Sequence, residues 1–198
     1  MNRNREWLLI RNPEPASIKG LCYGWTDVKL EAGWESSVKK FNSRFPDTID
    51  QIISSPLQRC LLPAQLLHKM RFGENSSNKL TVDDRLKEMN FGIWEDHRWI
   101  EIPREEIDAW AYSTNTYKIP GGESLVEFGK RVTDWFKQIY VTSRAKKTAV
   151  FTHAGVIRVL AGKIRNTPPD KILQMHIGFG QTCVIRETEK VLEVVEIK

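Results

Sequence analysis

The chain has 198 residues, of which 40% are hydrophobic and 28% are charged, and its formal net charge is +5. This length favours a single domain over residues 1–198, and the balance of apolar and charged residues excludes a disordered or fibrous protein. A basic protein suits an acidic ligand, but the densest basic clusters, Lys39 with Lys40 and residues 144–147, are too short for a nucleic-acid surface. We therefore expect no nucleic acid as a partner, whereas an acidic ligand such as a small phosphorylated metabolite suits the charge.

Three cysteines, Cys22, Cys60 and Cys183, are widely spaced and form no CxxC pair. This pattern predicts neither a disulfide framework nor a zinc site, and a reducing compartment fits it best. The first residues do not resemble a secretion signal, and no apolar run approaches the length of a membrane span. We expect a cytoplasmic protein without a membrane partner, a metal or a cofactor.

The first predicted element is a strand over the apolar residues 7–10, which Arg11 and Asn12 follow directly. Four consecutive apolar side chains favour a central strand covered on both faces, and Pro13 and Pro15 cannot continue it. Ligands of open α/β sheets lie at the carboxyl ends of such strands. Arg11 is therefore a candidate anion ligand, although a single arginine after a strand is more often a solvated surface residue.

A helix over residues 33–45 precedes the second predicted strand, residues 48–54. Ser55 and Pro56 have the residue types of a helix N-cap and a first helical position, so the next helix is expected to begin at Pro56. Arg59 then lies in the first turn, where backbone N–H groups favour an anion. Anion binding and simple solvation of the helix end explain Arg59 about equally well.

Residues 83–95 form an acidic and aromatic segment with no regular period. Glu88 lies in this segment, close in sequence to Met89, Phe91 and Trp94. Partial burial of a carboxyl group raises its pKa. A general acid needs such a raised pKa to hold its proton at neutral pH. A solvated surface charge is nevertheless the commoner explanation of such a residue.

The later segments complete an alternating pattern of strands and helices. They are a helical insertion opened by Pro103 (99–112), a long helix (123–140), a buried strand (148–152) with His153 and a helix after it, and a closing antiparallel hairpin (182–187 and 191–197). Such alternation is typical of doubly wound folds. We predict an α/β protein with a three-layer αβα arrangement and a mainly parallel sheet, in which residues 8–11, 49–54 and 149–152 are adjacent interior strands.

Three strand ends thus offer Arg11, Arg59 and His153, a combination typical of a phosphate site. Five motifs in this order resemble the histidine phosphatase superfamily, also called phosphoglycerate mutase-like: LIRNPEP from Leu9, SSPLQRC from Ser54, LKEMNFGIWE from Leu86, PGGES from Pro120 and FTHAGVIR from Phe151. Within the superfamily, KGLCYG from Lys19 and IPREE from Ile102 look most like the alpha-ribazole phosphatases of cobalamin lower-ligand synthesis.

The resemblance implies a phosphomonoesterase in which Arg11, Arg59 and His153 bind the phosphoryl oxygens. It also implies that Glu88 protonates the leaving oxygen. In the family, the nucleophilic histidine follows the strand-end arginine, and this chain has Asn12 at that position. Because an amide nitrogen is not a competent nucleophile, we expect an alpha-ribazole 5′-phosphate phosphatase-like protein with little or no activity as the sequence stands.

Three explanations of Asn12 remain open: an engineered change in an active phosphatase, a natural member that binds without turnover, or transfer of the nucleophilic role to His97. A phosphate-binding pseudoenzyme and a phosphoglycerate mutase-type phosphotransferase are the alternatives to a phosphatase. Glu88 favours a catalytic design, because a pure binding protein needs no proton donor beside a phosphate dianion. The oligomeric state stays open.

Overall fold

The computed structural model describes residues 4–16, 19–45, 48–74, 76, 80–113 and 115–197. Its strands are β1 (Arg5–Arg11), β2 (Gln51–Ser54), β3 (Thr81–Val82), β4 (Lys147–Thr152), β5 (Thr182–Thr188) and β6 (Val191–Ile197). Its helices are α1 (Glu35–Arg44), α2 (Gln58–Phe72), α3 (Arg104–Tyr112), α4 (Leu125–Thr142), α5 (Ala154–Ile164) and α6 (Pro169–Ile172). Short 3-10 helices lie at Asp84–Leu86, Gly92–Trp94 and Trp99–Glu101.

The strands form one mixed sheet in the order β3-β2-β4-β1-β5-β6. Strands β3, β2, β4 and β1 run parallel to one another, and β5 pairs antiparallel with both β1 and β6. The predicted α/β class, the adjacent interior strands β2, β4 and β1, and the closing hairpin are therefore confirmed.

Strand β1 lies inside the sheet because its side chains are apolar on both faces. Trp7 and Leu9 pack into the core that α4 and α5 cover. Leu8 and Ile10 pack into the core that α1 and α2 cover. Helices thus cover both faces of the sheet, as the continuous apolar run predicts.

The predicted start of the helix at Pro56 is wrong by two residues, since α2 begins at Gln58. Ser55 does not act as its cap: the Ser55 Oγ atom is 3.4 Å from the backbone N of Leu57, a long contact. Instead, the backbone N–H of Gln58 donates to Oδ1 of Asp27 at 2.8 Å. The cap therefore comes from a distant loop, which no local sequence rule would have identified.

The helix predicted over residues 123–140 is displaced by two residues, to Leu125–Thr142. Ser124 is the N-cap residue: its Oγ accepts from the N–H of Glu127 at 3.2 Å, and a Glu127 carboxylate oxygen accepts from the N–H of Ser124 at 3.0 Å. This reciprocal pair is a capping box, which fixes the start of a helix. The predicted apolar stripe is confirmed, with Phe128 and Trp135 fully buried.

The predicted insertion over residues 99–112 divides into the 3-10 helix Trp99–Glu101 and helix α3. Pro103 is the N-cap residue of α3 rather than its first helical residue. Ile107 and Trp110 pack against the main core, as their spacing predicts. Among the residues with described positions, none of the helices has the length and apolar character needed to cross a bilayer.

Candidate active site

The carboxyl ends of the three interior strands meet at one edge of the sheet. Arg11, the last residue of β1, pairs in register with Thr152 of β4. Ser54 of β2 pairs in register with Phe151 of β4. The residues that follow these ends, Asn12, His153 and Ser55, therefore lie at the same edge.

These strand ends line a cavity of about 280 Å³, which we call the strand-end cavity. The residues predicted to form the site all line it: Arg11, Asn12, Arg59, Glu88 and His153. The structure therefore brings the predicted residues together in one place. Their roles in binding and chemistry stay predictions at this point.

Arg59 is 1% exposed and its guanidinium is held by the loop before α1. Nη1 donates to the backbone O of Thr26 at 2.8 Å, and Nη2 donates to the backbone O of Gly24 at 2.5 Å. The guanidinium plane of an arginine presents five N–H donors. Two of them thus anchor the group while it lines the cavity.

Glu95 holds the same loop in place. Its carboxylate accepts hydrogen bonds from the backbone N–H groups of Trp25 at 2.8 Å, Thr26 at 2.5 Å and Phe91 at 3.0 Å. Burial acts to raise the pKa of Glu95, but these bonds and one from the Thr26 hydroxyl outweigh it and lower the pKa. The ionised carboxylate therefore fixes the two carbonyl groups that orient Arg59.

Arg11 is held by the segment that precedes β5. Its Nη1 donates to the backbone O of Ile177 at 2.5 Å, and its guanidinium carbon lies 3.7 Å from the ring centroid of Phe179. Burial is the main cause that lowers the pKa of Arg11, and the charge of Glu88 opposes it. An arginine stays charged under any such shift, so Arg11 brings a positive charge to the cavity.

His153 is the N-cap residue of α5 and is 1% exposed. Its Nε2 lies 2.9 Å from Oγ of Ser55 and 3.5 Å from Sγ of Cys60. Burial, followed by the nearby charges of Arg59, Arg131 and Arg11, lowers the pKa of His153 well below its usual value. The imidazole is therefore neutral at pH 7.

Asn12 is 3% exposed, and hydrogen bonds fix both its backbone and its side chain. Its backbone N–H donates to the O of Thr152 at 2.9 Å, and its backbone O accepts from the N–H of Gly180 at 3.2 Å. Its Nδ2 donates to the O of Pro13 at 2.7 Å. Asn12 is thus a fixed part of the cavity lining, and its amide offers hydrogen bonds but no nucleophilic nitrogen lone pair.

Glu88 reaches the cavity beside the start of α5. Its Oε2 accepts from the backbone N–H of Gly155 at 3.0 Å, and its Oε1 accepts from the backbone N–H of Met89 at 3.0 Å. A Cβ atom added to Gly155 would lie 2.1 Å from Oε1 of Glu88. With any other residue at position 155, this carboxylate would have to leave its present position.

Arg131 of α4 fixes the backbone of Glu88. It donates to the O of Glu88 at 2.7 Å and to the O of Lys87 at 2.8 Å. It also pairs with Glu123 at 2.6 Å, and the other oxygen of Glu123 accepts from the N–H of Asn90 at 2.9 Å. The PGGES motif, which contains Glu123, thus supports the segment that carries Glu88.

Sequence reasoning missed other residues that line the cavity or contact its members, including Tyr23, Ser55, Arg158 and Phe179. Ser55 follows a strand end, as Asn12 and His153 do, and this position was the available signal. Arg158 lies in the FTHAGVIR motif, within α5. Tyr23 and Phe179 lie in loops, where no periodicity points to a role.

His97 is exposed, and its Nδ1 lies 3.1 Å from the backbone O of Glu95. It is not among the residues that line the strand-end cavity. The explanation that His97 replaces a histidine at position 12 therefore has no support in this geometry. Within the described ranges, no cluster of three or more His, Cys, Asp or Glu side chains is arranged to hold a metal ion.

Comparison with known proteins gives matches at the level of family and of fold. The family described as histidine phosphatase superfamily (branch 1) matches residues 7–198. A 2,3-bisphosphoglycerate-dependent phosphoglycerate mutase from Brucella anthropi is 25% identical over 194 residues, which cover 92% of each chain.

Two crystal structures share the fold at lower identity. The alpha-ribazole phosphatase from Shigella flexneri superimposes with a TM-score of 0.81 at 21% identity, over 96% of this chain and 94% of that one. A phosphoserine phosphatase from Entamoeba histolytica, in complex with 3-phosphoglyceric acid, has a TM-score of 0.81 at 18% identity, over 98% and 96% of the two chains.

Proposed function

The chain belongs to the histidine phosphatase superfamily (branch 1), and we propose that it carries a phosphomonoesterase site whose nucleophile position is occupied by Asn12. The membership agrees with the prediction from the five motifs. The observation that carries the proposal is the meeting of Arg11, Arg59, His153 and Glu88 around one cavity of about 280 Å³.

The charges of the cavity suit a phosphate dianion. Two guanidinium groups, Arg11 and Arg59, bind the non-bridging oxygens through charge-assisted hydrogen bonds. The neutral imidazole of His153 adds a hydrogen-bond donor without adding a further buried charge. Positive charge in a partly closed cavity also stabilises the charge that builds up on the transferring phosphoryl group.

Glu88 is the proton donor in this proposal. As the bond between phosphorus and the leaving oxygen breaks, the carboxyl group gives its proton to that oxygen, and the ionised carboxylate later takes a proton from the attacking water. The hydrogen bond from Gly155 places the carboxylate at the start of α5, beside His153.

Asn12 prevents the first step of the family's covalent mechanism. In a family member with histidine at this position, a ring nitrogen forms a bond to phosphorus while the bond to the leaving oxygen breaks, and water then cleaves the phosphohistidine. The Asn12 amide supplies no such lone pair. The protein as it stands therefore binds phosphomonoesters and hydrolyses them slowly or not at all.

We propose alpha-ribazole 5′-phosphate or a closely related phosphomonoester as the substrate class. The support is the resemblance of the KGLCYG, LKEMNFGIWE and IPREE segments to alpha-ribazole phosphatases. A phosphate-binding pseudoenzyme is the second candidate, favoured by the buried placement of Asn12 and by the hydrogen bond from its Nδ2 to the O of Pro13. A phosphoglycerate mutase-type phosphotransferase is the third, favoured by the Brucella relative.

We also propose that the protein is located in the cytoplasm. Cys22, Cys60 and Cys183 are buried and form no disulfide. Burial raises the pKa of the Cys22 thiol to about 12 and that of the Cys183 thiol to about 11. Unreactive thiols without disulfides suit a reducing compartment.

The decisive experiment restores the histidine. Asn12→His is compared with the unaltered protein and with Asn12→Gln, which is a matched amide control. Hydrolysis of p-nitrophenyl phosphate and of alpha-ribazole 5′-phosphate is measured in the presence of a chelator. Formation of an acid-labile phosphoprotein is monitored in parallel. We expect the histidine variant to gain activity by on the order of a thousandfold, because the catalytic groups act as a unit.

Two results would contradict parts of this proposal. Equal turnover by the unaltered protein and by Asn12→His would reject the covalent route. Phosphate binding by both, with turnover by neither, would favour the pseudoenzyme.

A further inference from the structure

A second cavity, of about 230 Å³, adjoins the strand-end cavity. The two cavities share Glu88, Phe91, Trp99 and Arg158 as wall residues. Because most of the remaining wall is apolar and includes the ring of Trp110, we call this second cavity the aromatic chamber.

Glu88 stands where the two cavities meet. Its carboxylate is fixed by the N–H of Gly155, and Gly155 also lines the aromatic chamber. If Glu88 protonates the leaving oxygen, that oxygen must lie within hydrogen-bond reach of it. A leaving group attached to the oxygen then extends past Glu88, and the adjoining space is the aromatic chamber.

The rings of the chamber are packed against one another. The ring centroids of Phe91 and Trp99 are 5.3 Å apart at 84°, and those of Trp99 and Trp110 are 6.3 Å apart at 33°. Such mutual packing holds flat apolar walls in place before a ligand arrives. The Arg158 guanidinium, held by the O of Met175 at 2.7 Å, adds a plane that can stack on an aromatic ring.

The size of the chamber limits its occupant. A dry apolar cavity of about 150 Å³ is sufficient to bind benzene, and the chamber measures about 230 Å³. One ring or two fused rings therefore fit. A charged group on the same side would lose its hydration against apolar walls, which costs free energy.

We propose that the aromatic chamber binds the aromatic or similarly flat apolar part of a phosphomonoester whose phosphoryl group lies in the strand-end cavity. This inference rests on the proposed function and names the class of leaving group that the site selects.

The test measures binding by calorimetry to the protein with Asn12, using phosphonates that cannot be hydrolysed. Naphthylmethylphosphonate and methylphosphonate carry the same charged head and differ in the aromatic group alone. We expect the naphthyl compound to bind at least about tenfold more tightly, which burial of only about 60 Å² of apolar surface provides.

Two variants locate the aromatic group. Leu173→Trp fills the chamber and should remove the naphthyl advantage while the affinity for methylphosphonate stays unchanged. Val126→Trp, at a position that is 57% exposed on α4, is the matched control and should keep the advantage. Trp110→Ala removes one aromatic wall of the chamber and should also reduce the preference for the naphthyl compound. Because this variant enlarges the chamber instead of filling it, the conclusion does not depend on one substitution.

Equal affinities for the two phosphonates would overturn the inference, as would a naphthyl advantage that survives Leu173→Trp with its fold intact. Failure of the proposed function has a different signature. In that case Arg59→Ala would leave the affinity for methylphosphonate unchanged, whether or not the naphthyl compound binds more tightly.

Discussion

The Nε2 atom of His153 lies 2.9 Å from Oγ of Ser55, and both side chains are buried where neighbouring parallel strands end. This contact joins the end of β4 to the end of β2. It orients the imidazole without a charged partner. Burial, followed by three nearby arginine charges, lowers the pKa of His153 and keeps the ring neutral.

The neutral state of His153 predicts a loss of stability in acid. Burial and the arginines lower the pKa of His153 in the folded state, whereas an unfolded histidine has a pKa of about 6.5. The unfolded state therefore binds more protons, and the contribution of His153 is present above about pH 6.5 and lost as the pH falls below it.

Urea unfolding at pH 7.5 and pH 5 measures this effect. From pH 7.5 to pH 5, the free energy of unfolding of the unaltered protein should fall by up to about 2 kcal/mol more than that of His153→Gln. Each pH unit below the unfolded pKa corresponds to about 1.4 kcal/mol. Parallel pH profiles for the two proteins would show that His153 is not the group responsible.

Arg59 should contribute a large share of phosphate affinity. Arg59→Ala removes a buried guanidinium that lines the cavity, and loss of a charge-assisted hydrogen bond costs about 1.5–3 kcal/mol. Calorimetric titration with phosphate or vanadate measures the change. Arg104→Ala is the control, because Arg104 is 84% exposed on α3; a similar loss in that variant would mean that general charge, and not the cavity, attracts the anion.

Gly155 should be needed for proton transfer. In the Asn12→His background, Gly155→Ala places a Cβ where it would lie 2.1 Å from Oε1 of Glu88, so the carboxylate must move. We expect kcat to fall about tenfold to a hundredfold, at or below the roughly hundredfold to ten-thousandfold contribution of general acid catalysis, while phosphate affinity is kept.

Gly129→Ala is the matched control for Gly155→Ala. Gly129 is also helical, but an added Cβ there meets nothing within 4 Å. This variant should keep its activity and gain up to about 1 kcal/mol of stability from helix propensity. An unchanged kcat in Gly155→Ala would argue against Glu88 as the proton donor.

Glu95 should act on phosphate binding through Arg59, as a positioning residue. Glu95→Ala frees the loop whose Gly24 and Thr26 carbonyl groups hold the guanidinium. We expect phosphate affinity to fall about threefold to tenfold, and the effect to disappear when Arg59 is already alanine, since groups in one network are not additive.

A double-mutant cycle with phosphate titration measures this coupling. Glu105→Ala, at an exposed position of α3, is the control and should have no effect. Additive losses from Glu95→Ala and Arg59→Ala would contradict a positioning role.

Local patterns sufficed for the parts of the fold that depend on local structure. The apolar run of β1 and the polar residues after it predicted both the central strand and Arg11. The same reasoning found His153 after β4, and the first turn of α2 gave Arg59. Each of these residues lies on a strand or helix or directly after one, so the local pattern places its backbone at the edge of the sheet.

Contacts between distant segments could not be predicted in this way. Ser55 has the residue type of a cap but contacts His153, while the cap of α2 is supplied by Asp27. Arg11 is held by Ile177 and Phe179 from a segment without periodicity. These contacts depend on which loops lie next to one another in the folded protein, and the local sequence does not indicate them.

The capping of α2 by Asp27 ties the start of this helix to a loop 31 residues upstream. If that loop lifts away, the helix loses its cap and Arg59 loses the carbonyl groups of Gly24 and Thr26 in the same event. Hydrogen exchange of the Gln58 amide should therefore report on the docking of this loop, because its protection depends on the bond to Asp27. We expect an anion that binds Arg59 to slow this exchange, so that one backbone proton outside the site would report its occupancy.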